Sequence, residues 1–487
     1  MDIALDTVSI VKAGQFLGAG ISMGFGAIGA AVGEGFVGGY ANCSIGRRVG
    51  MASPYTRTML IGQAVAETSG IFALMVAVLL VFGDFSANGV CAWTATMSAG
   101  ICMGLGALGS GIGAGYPAQE ALWGSARQPA LGGQMTTSML IGQAVCQTPA
   151  IFALVIAFML MFKNCSGLDV WPYGASLIGA GIAMGFGAIG SGWGGGMAGG
   201  KACEGMARQP RLRSSLTTLM LVGQAVAQTP AIFALLVAIM LISIGPQEGT
   251  LLVSAAMLGA GISIGFGAIG SGMGNGVTAQ GACEAISKES STTKEMLTFM
   301  LVGQAVGQTP VIFVLVVSLM LMFIKFQLPV NLVSFCALLA AGISMGLAAI
   351  GSGYGNGDTA ESACKAVATN PEGKTGILPL MLVGQAVGQT PAIFGLLVAF
   401  ILMFGNYSGP ATLSAAMAVL AAGISMGFGG IGPGVGNGLT AAAACEAAGV
   451  RPEERGLLMR TMLVAQAVAQ STAIYALVIA FVLIFVV

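Results

Sequence analysis

The sequence contains no histidine and few charged residues, and each shortage excludes a class of function. Lys, Arg, Asp and Glu make up 7% of the 487 residues, whereas about 25% is usual in a soluble domain. The net charge is zero, so no surface for nucleic acid is indicated. Without histidine, metal sites and acid–base chemistry that depend on imidazole are excluded. Because 56% of the residues are hydrophobic, the composition indicates an integral membrane protein in contact with lipid.

The cysteines and the glycine-rich runs have common functional interpretations that their spacing does not favour. No CxxC pair occurs among the ten cysteines, so we interpret them as small packing residues. Four of them recur at one position of a repeat: Cys203, Cys283, Cys364 and Cys445. A glycine run such as residues 20–29 lies inside a long apolar segment with no preceding strand, which argues against a phosphate loop. The chain is therefore not expected to bind nucleotide or to hydrolyse ATP.

A glutamine motif recurs six times at a spacing of 80 or 81 residues and defines six units. The motif residues are Gln63, Gln143, Gln224, Gln304, Gln385 and Gln466. Each unit has a glycine-rich apolar segment, a short polar loop and a second apolar segment long enough to cross a membrane. We predict an all-α membrane protein of six tandem transmembrane hairpins, twelve helices in all. The predicted hairpins are 1–85, 86–165, 166–246, 247–327, 328–408 and 409–487.

The basic residues predict how the hairpins are oriented in the membrane. Fifteen of the eighteen Lys and Arg residues lie in or beside the loop within each hairpin; the exceptions are Lys12, Lys163 and Lys325. By the positive-inside rule these loops are cytoplasmic, and both termini lie on the opposite side. A bacterial or archaeal cell membrane is the expected location.

Prolines predict bends in four of the second helices. Each follows the motif at mid-membrane depth, where proline removes a backbone hydrogen bond and bends the helix. The four residues are Pro149, Pro230, Pro310 and Pro391.

Two acids distinguish the first hairpin from the other five. Glu67 lies near the middle of its helix, where a carboxylate is costly and indicates a functional site. The matching residues elsewhere are amides: Gln147, Gln228, Gln308, Gln389 and Gln470. Glu34 lies at about the same depth in the first helix, and its counterparts are Ala114, Gly195, Asn275, Asn356 and Asn437. Because both positions are acidic in hairpin 1 alone, we predict a single ion site there.

Oxygen atoms dominate the candidate ligands of this site. They are the carboxylates of Glu34 and Glu67, the hydroxyl of Thr68 and backbone carbonyls near Val65. Oxygen ligands without Cys or His suit a hard cation or a proton. Two carboxylates beside one monovalent ion leave excess negative charge, so one acid is expected to stay protonated.

Each hairpin resembles the ring-forming proteolipid, or c-type subunit, of rotary ATPases, especially the sodium-coupled F-type form. Hairpin 6 is the most similar, through residues 432–438, the loop Arg451-Pro452-Glu453 and residues 465–475. The resemblance covers essentially the whole chain, six times over. It implies a two-layered ring with glycine helices inside and motif helices outside. It also implies loops that grip the central-stalk subunits and an acid that carries the ion past the stator a-type subunit.

The resemblance also implies a set of ligands. In the sodium-binding form they correspond to Glu34, Glu67, Thr68 and Val65, with Gln63 beside them. Because the family builds each site across two hairpins, the carbonyl and hydroxyl have alternative sources in neighbouring copies of the motif: Thr148, Val145, Ser471 and Val468. The ion implied is Na+; H+ is the alternative, because Glu34 replaces the usual amide. The implied stalk-contact residues are Arg127, Gln128, Pro129, Arg208, Gln209, Pro210, Arg451 and Pro452.

The predicted function is therefore a rotor-ring subunit with one ion site per six hairpins. Two or three copies would close a ring of twelve or eighteen hairpins, or one copy would join smaller proteolipids. So few ions per turn favour ATP-driven pumping over ATP synthesis. The alternative is a non-rotary structural or pore-forming ring with a vestigial site. A twelve-helix secondary transporter conflicts with six parallel repeats, since such carriers use inverted or two-fold repeats.

Overall fold

The chain forms twelve long spans joined by short loops in the computed structural model, which describes residues 6–167, 170–244, 251–409 and 411–485. The first helices of the hairpins are Thr7–Arg47, Ala92–Arg127, Val170–Arg208, Leu251–Lys288, Leu332–Thr369 and Leu413–Val450. The second spans are Ala52–Phe82, Gly132–Cys146 with Thr148–Met161, Arg213–Ser243, Thr293–Gly307 with Thr309–Phe323, Lys374–Gly388 with Thr390–Phe404, and Arg455–Phe485. All twelve are long and apolar enough to cross a membrane, which confirms the predicted all-α class. The predicted boundary between residues 246 and 247 lies outside the described residues.

The glycine-rich helices form an inner layer in which each helix packs beside the next in chain order. Glycine permits this because the backbones touch: a β-carbon on Gly190 would clash with the carbonyl of Ile269, and one on Gly113 with the carbonyl of Gly192. In lipid, such close packing drives helix association, since apolar burial gives no advantage there. The motif-bearing spans pack on this layer as an outer layer. Those of hairpins 1 to 5 contact the inner helix of their own hairpin and that of the next, and that of hairpin 6 contacts its own inner helix. The cysteines of the repeat column are fully buried: Cys203, Cys283, Cys364 and Cys445.

Short turns close the loop of every hairpin and tie neighbouring loops together. The 3-10 turns are Val49–Met51, Pro129–Leu131, Pro210–Leu212, Ser290–Thr292, Pro371–Gly373 and Pro452–Glu454. Proline suits the first position because its missing N–H would have no partner there. Across the loops, the Nε of Arg48 donates to the carbonyl of Ala126 (2.7 Å), and the Nε2 of Gln128 donates to that of Ala207 (2.8 Å). Adjacent hairpins are thus fixed at their loop ends.

Three of the four outer spans that contain these prolines are interrupted next to them, and the predicted bends stay a prediction. Helices end at Cys146, Gly307 and Gly388, and the next helix begins after one intervening residue. The helix Arg213–Ser243 instead continues through Pro230. The interrupting residues are Gln147, Gln308 and Gln389, which occupy the repeat position of Glu67. The local change in helix geometry therefore falls at the level of the predicted site.

Both ends of the layered array are open. Gly20 and Gly24, on the inner helix of hairpin 1, have no atom of the described chain within 4 Å of a β-carbon built on them. Gly432, on the inner helix of hairpin 6, is equally open. The same repeat positions in the middle of the chain are in tight contact with a neighbouring backbone. Hairpins 1 and 6 therefore each present an inner-helix face that no other hairpin of the described chain covers.

Candidate ion site

The motif glutamine of hairpins 2 to 6 connects three helices. The Nε2 of Gln143 donates to the carbonyl of Gly62 in the preceding outer helix and to that of Ala114 in its own inner helix, both at 2.9 Å. Gln224 donates in the same way to Gly142 (3.1 Å) and Gly195 (2.8 Å). The same pair of bonds recurs at three further residues: Gln304, Gln385 and Gln466. A permanent donor at this depth supplies partners that lipid does not, so this column has a structural role.

A second amide column joins consecutive outer helices one turn further along. The Nε2 of Gln147 donates to the carbonyl of Val65 (2.9 Å), and that of Gln228 to the carbonyl of Val145 (2.6 Å). Gln308 and Gln389 make the equivalent bond with the preceding hairpin, at 3.3 and 3.2 Å. In hairpins 2 to 5, residues in this column therefore face a valine carbonyl of the preceding hairpin. The carbonyls of Val65 and Val145, two of the candidate ion ligands, are engaged by these amides instead.

Glu67 occupies this second column in hairpin 1, at the open end of the outer layer. Its side chain is exposed in the single chain. Glu34 is half-buried on the inner helix of the same hairpin. The motif Gln63 donates to the backbone carbonyl of Glu34 at 3.2 Å. The structure therefore places Gln63 against the backbone of Glu34, with Glu67 about one turn further along the outer helix. A shared ion site at these residues stays a prediction.

The predicted hydroxyl and carbonyl ligands are divided between the two ends of the chain. The hydroxyl of Thr68 donates to the carbonyl of Ala64 in its own helix (3.1 Å). Thr148 is half-buried within the array. Val468 is 69% exposed at the opposite open end, and the hydroxyl of Ser471 donates to its carbonyl (2.7 Å). Val468 and Ser471 thus lie on the face that a following hairpin would cover.

The predicted stalk-contact residues all lie at the loop end of the hairpins. Arg127, Arg208 and Arg451 are exposed. Pro129, Pro210 and Pro452 begin the short turns, and Gln209 is half-buried beside one of them. Gln128 is tied to the next hairpin by the hydrogen bond described above, so its role includes fixing the loops.

A set of ionic contacts that was not predicted from the sequence lies along the inner layer, near the loops. Glu204 pairs with Lys201 (2.8 Å) and Arg208 (2.5 Å) of its own helix and with Arg127 of the preceding hairpin (3.9 Å). A similar group lies further along the layer: Glu284, Lys288, Glu361 and Lys365. The spacing of three and four residues, which places opposite charges on one helix face, was the signal available in the sequence.

We expect Glu204→Gln to lower stability by about 1 kcal/mol. The change leaves three cations without their shared carboxylate, but all three are partly exposed, so solvent screening limits the loss. The measurement is the temperature at which the purified protein unfolds. Glu453→Gln, at an exposed loop position with one weak contact at 3.6 Å, is the matched control and is expected to leave that temperature unchanged. Equal temperatures for wild type and Glu204→Gln would contradict the assignment.

The repeated two-helix unit, with polar columns at the middle of the outer helices, defines a tandem-hairpin membrane proteolipid. Comparison with known proteins agrees. Six segments match the family model of the ATP synthase C subunit: 17–80, 97–160, 178–241, 258–321, 339–402 and 420–483. The K subunit of the A-type ATP synthase of Methanocaldococcus jannaschii is 31% identical over 207 residues, which cover 42% of this chain and 87% of that protein.

Shorter relatives match a single hairpin. The ATP synthase c-type subunit of Thermotoga petrophila is 48% identical over 65 residues, 13% of this chain and 76% of that protein. That of Natranaerobius thermophilus is 46% identical over 80 residues, 16% of this chain and 92% of that protein. The chain belongs to the ATP synthase C-subunit family and is a fusion of six of its hairpins. It is a non-catalytic membrane subunit of a rotary ATPase.

Proposed function

We propose that the chain is a rotor-ring subunit that carries Na+, or alternatively H+, at one site per six hairpins, formed around Glu67 and Glu34. The observation that supports this most directly is the second amide column. In four hairpins a neutral amide donates to a valine carbonyl of the preceding hairpin. Glu67 holds that position in hairpin 1, and an ionised carboxylate can only accept hydrogen bonds.

A carboxylate that faces a backbone carbonyl within the membrane needs a proton or a cation between the two oxygen atoms. Two acceptors repel, and an unpaired charge in lipid is costly. A proton on Glu67 makes it a donor that reproduces the contact of Gln147. A sodium ion instead draws both oxygens to itself as ligands. Either way Glu67 has a loaded, neutral state and an empty, charged state, whereas each glutamine remains permanently in the neutral one.

The carbonyl that Glu67 faces is proposed to be that of Val468 in hairpin 6 of another copy, with Ser471 supplying the hydroxyl. The support is geometric: Gln147 and Gln228 already engage Val65 and Val145, whereas Val468 lies on an open face. Glu34 would supply the inner-helix oxygen, and Gln63 would hold the two helices of the site together. Val65 and Val145 then serve the amide junctions and not the ion.

The loaded, neutral site can pass through lipid, and the charged one has to meet the stator a-type subunit. The five glutamine hairpins pass without exchanging an ion. A ring of this chain alone would move few ions per turn, which favours ATP-driven pumping against a steep gradient. In this proposal the loops with Arg127 and Arg208 face the cytoplasm and contact the central stalk, and both termini lie across the membrane of a bacterial or archaeal cell.

Sodium is expected to protect Glu67 from a hydrophobic carboxyl-modifying reagent. The bound ion occupies the carboxylate oxygens and removes the protonated form with which such a reagent reacts. Labelling of Glu67 is followed by peptide mass spectrometry at fixed pH, with increasing sodium and with potassium as the control salt. Asp84, which is exposed and accepts a hydrogen bond from Ser86, is the internal control. Protection by lowering proton concentration alone, with no effect of sodium, would assign the site to H+.

The alternative function, a structural ring with a vestigial site, takes its support from the loss of the acid in five hairpins. Co-purification separates the two. A rotor ring is expected to bring stalk and stator subunits with it in mild detergent, and a structural ring is not.

A further inference from the structure

We infer that the ring is built only from copies of this chain joined head to tail, so that hairpin 6 of one copy packs against hairpin 1 of the next and every ion site lies at such a seam. The inference deepens the proposed function, on which it rests, by naming the partner that completes the site. Its evidence is how the residues at the two open ends depart from the pattern of the junctions within the chain.

A small-residue pair lies at each junction within the chain. The residue before the motif glutamine, a glycine, faces a small residue of the next inner helix. A β-carbon on Gly62 would lie 2.9 Å from that of Ala118, and one on Gly384 would lie 2.5 Å from that of Ala441. The other junctions pair Gly223 with Ala279, Gly303 with Ala360, and Gly142 with Gly199. Because two β-carbons do not fit, each pair has room for one alanine at most.

At the open ends the two members of this pair have changed places: the outer-helix position is alanine and the inner-helix position is glycine. Hairpin 6 has Ala465 where the other five hairpins have glycine, and hairpin 1 has Gly38 where most of the others have alanine. Within the chain nothing requires the exchange, because these two residues belong to opposite ends of the array. If hairpin 6 of one copy meets hairpin 1 of another, Ala465 faces Gly38, and the pair again contains one alanine.

The exchange favours a second copy over a smaller proteolipid. A proteolipid with the arrangement of the internal hairpins would place an alanine against Ala465, so that two β-carbons would clash. At the other end it would place a glycine against Gly38, as Gly142 faces Gly199 within the chain. A contact between hairpin 6 of one copy and hairpin 1 of another gives the pair with one alanine that four of the five internal junctions have.

The inner layer is also continuous across the seam. Gly100 and Gly104 lie against the backbone of the preceding inner helix, and their counterparts Gly20 and Gly24 in hairpin 1 are open. At the other end, Gly351 contacts the following helix, and its counterpart Gly432 is open. At these three positions the seam therefore offers the same glycines as a junction within the chain.

One position makes the seam wider at the level of the site. Ala31 occupies a column that is glycine in the other five hairpins, where a β-carbon would press on the preceding inner helix, as at Gly192 and Gly272. Its methyl group has to hold the two helices apart at the seam. Ala31 lies about one turn from Glu34. The separation gives space for a second carboxylate and an ion, which the glutamine junctions do not need.

The test is a pair of compensating substitutions. Gly38→Ala is expected to reduce the fraction of chain recovered as closed ring at least tenfold, while the double variant G38A/A465G restores it, because the double variant recreates the internal arrangement. In the single chain a β-carbon on Gly38 has only the end of the Gln63 side chain nearby, at 3.3 Å, so the variant is expected to fold. Gly133→Ala, at an open position, is the matched control. Ring mass by native mass spectrometry is the readout, with a multiple of 48.5 kDa expected.

A cysteine pair provides an independent measurement. In a Cys43→Ser background, G46C/A447C is expected to give disulfide-linked multimers on oxidation. At the internal counterpart, a β-carbon on Gly124 would lie 2.6 Å from that of Ala207, so G124C/A207C closes within one chain. Rings whose mass includes another proteolipid would overturn the inference, as would unchanged assembly of Gly38→Ala or absence of cross-linked multimers. Ring mass does not depend on ion transport, so an ion-inactive but normally assembled ring would contradict only the proposed function.

Discussion

Replacement of Glu67 by glutamine is expected to abolish ion translocation and to leave the ring assembled. The substitution converts hairpin 1 into the pattern of the other five hairpins. The amide of Gln147 shows what such a residue does: it donates to the carbonyl of Val65 at 2.9 Å. A glutamine at position 67 would hold the facing carbonyl permanently and carry no exchangeable charge. Transport driven by ATP, measured in vesicles, is expected to fall to background.

The control for this experiment makes the same chemical change elsewhere. Glu120→Gln alters an inner-helix acid whose hydrogen bond is with the adjacent Gln119 (3.2 Å), and transport is expected to persist. The mass of the Glu67→Gln ring should equal that of wild type, because the amide is compatible with the junction. Full transport by Glu67→Gln would contradict the site assignment.

The second large effect is expected from Gln224→Leu. Leucine has a side chain of similar size, but it cannot make the two hydrogen bonds by which the motif glutamine connects hairpin 3 to its neighbour. Its amide donates to Gly142 and Gly195, two carbonyls on different helices. Loss of both bonds is expected to destabilise the chain by about 1–3 kcal/mol, since bonds between membrane helices contribute ~0.6 kcal/mol on average and buried groups left unpaired add to the cost. Thermal unfolding of the purified chain measures the change.

Gln119→Leu is the matched control for Gln224→Leu. The side chain of Gln119 contacts the adjacent Glu120 on its own helix, so its loss is expected to change stability by less than about 0.5 kcal/mol. Equal unfolding temperatures for Gln224→Leu and Gln119→Leu would show that the motif glutamine does not connect the hairpins. A lower temperature for Gln224→Leu with unchanged ion binding at Glu67 would support a purely structural role.

The fold could be predicted from the sequence because the motif repeat and the apolar segments both mark the same two-helix hairpin. The recurrence of the glutamine motif separated six hairpins, and each apolar segment was long enough to span a membrane. The helix interruptions at Pro149, Pro310 and Pro391 were also predictable from the missing N–H of proline. Continuity of the helix through Pro230 was not, because whether neighbouring helices absorb a bend depends on contacts that a single sequence does not report.

The sequence singles out the two acids of the proposed site but not the residues that would complete it. Glu34 and Glu67 are marked by their depth and by the neutral residues of the other hairpins. The sequence did not show whether the residue at the position of Glu67 faces the preceding or the following hairpin, because the spacing of the motifs is compatible with both. The bonds of Gln147 and Gln228 supply that direction, and they favour Val468 over Val65 and Val145. Ala465 and Gly38 became informative only when the structure showed which small residues face each other.

The central claim is one working ion site for every six hairpins, and its most direct measurement is a count of modified carboxyl groups in an intact ring. Purified rings are saturated with a hydrophobic carboxyl reagent in the absence of sodium, and native mass spectrometry gives the added mass. One modified carboxyl per 48.5 kDa chain, mapped to Glu67 and absent from Glu67→Gln, is the result predicted here. Rings that take up no label at Glu67, or that are labelled at several hairpins of each chain, would contradict it.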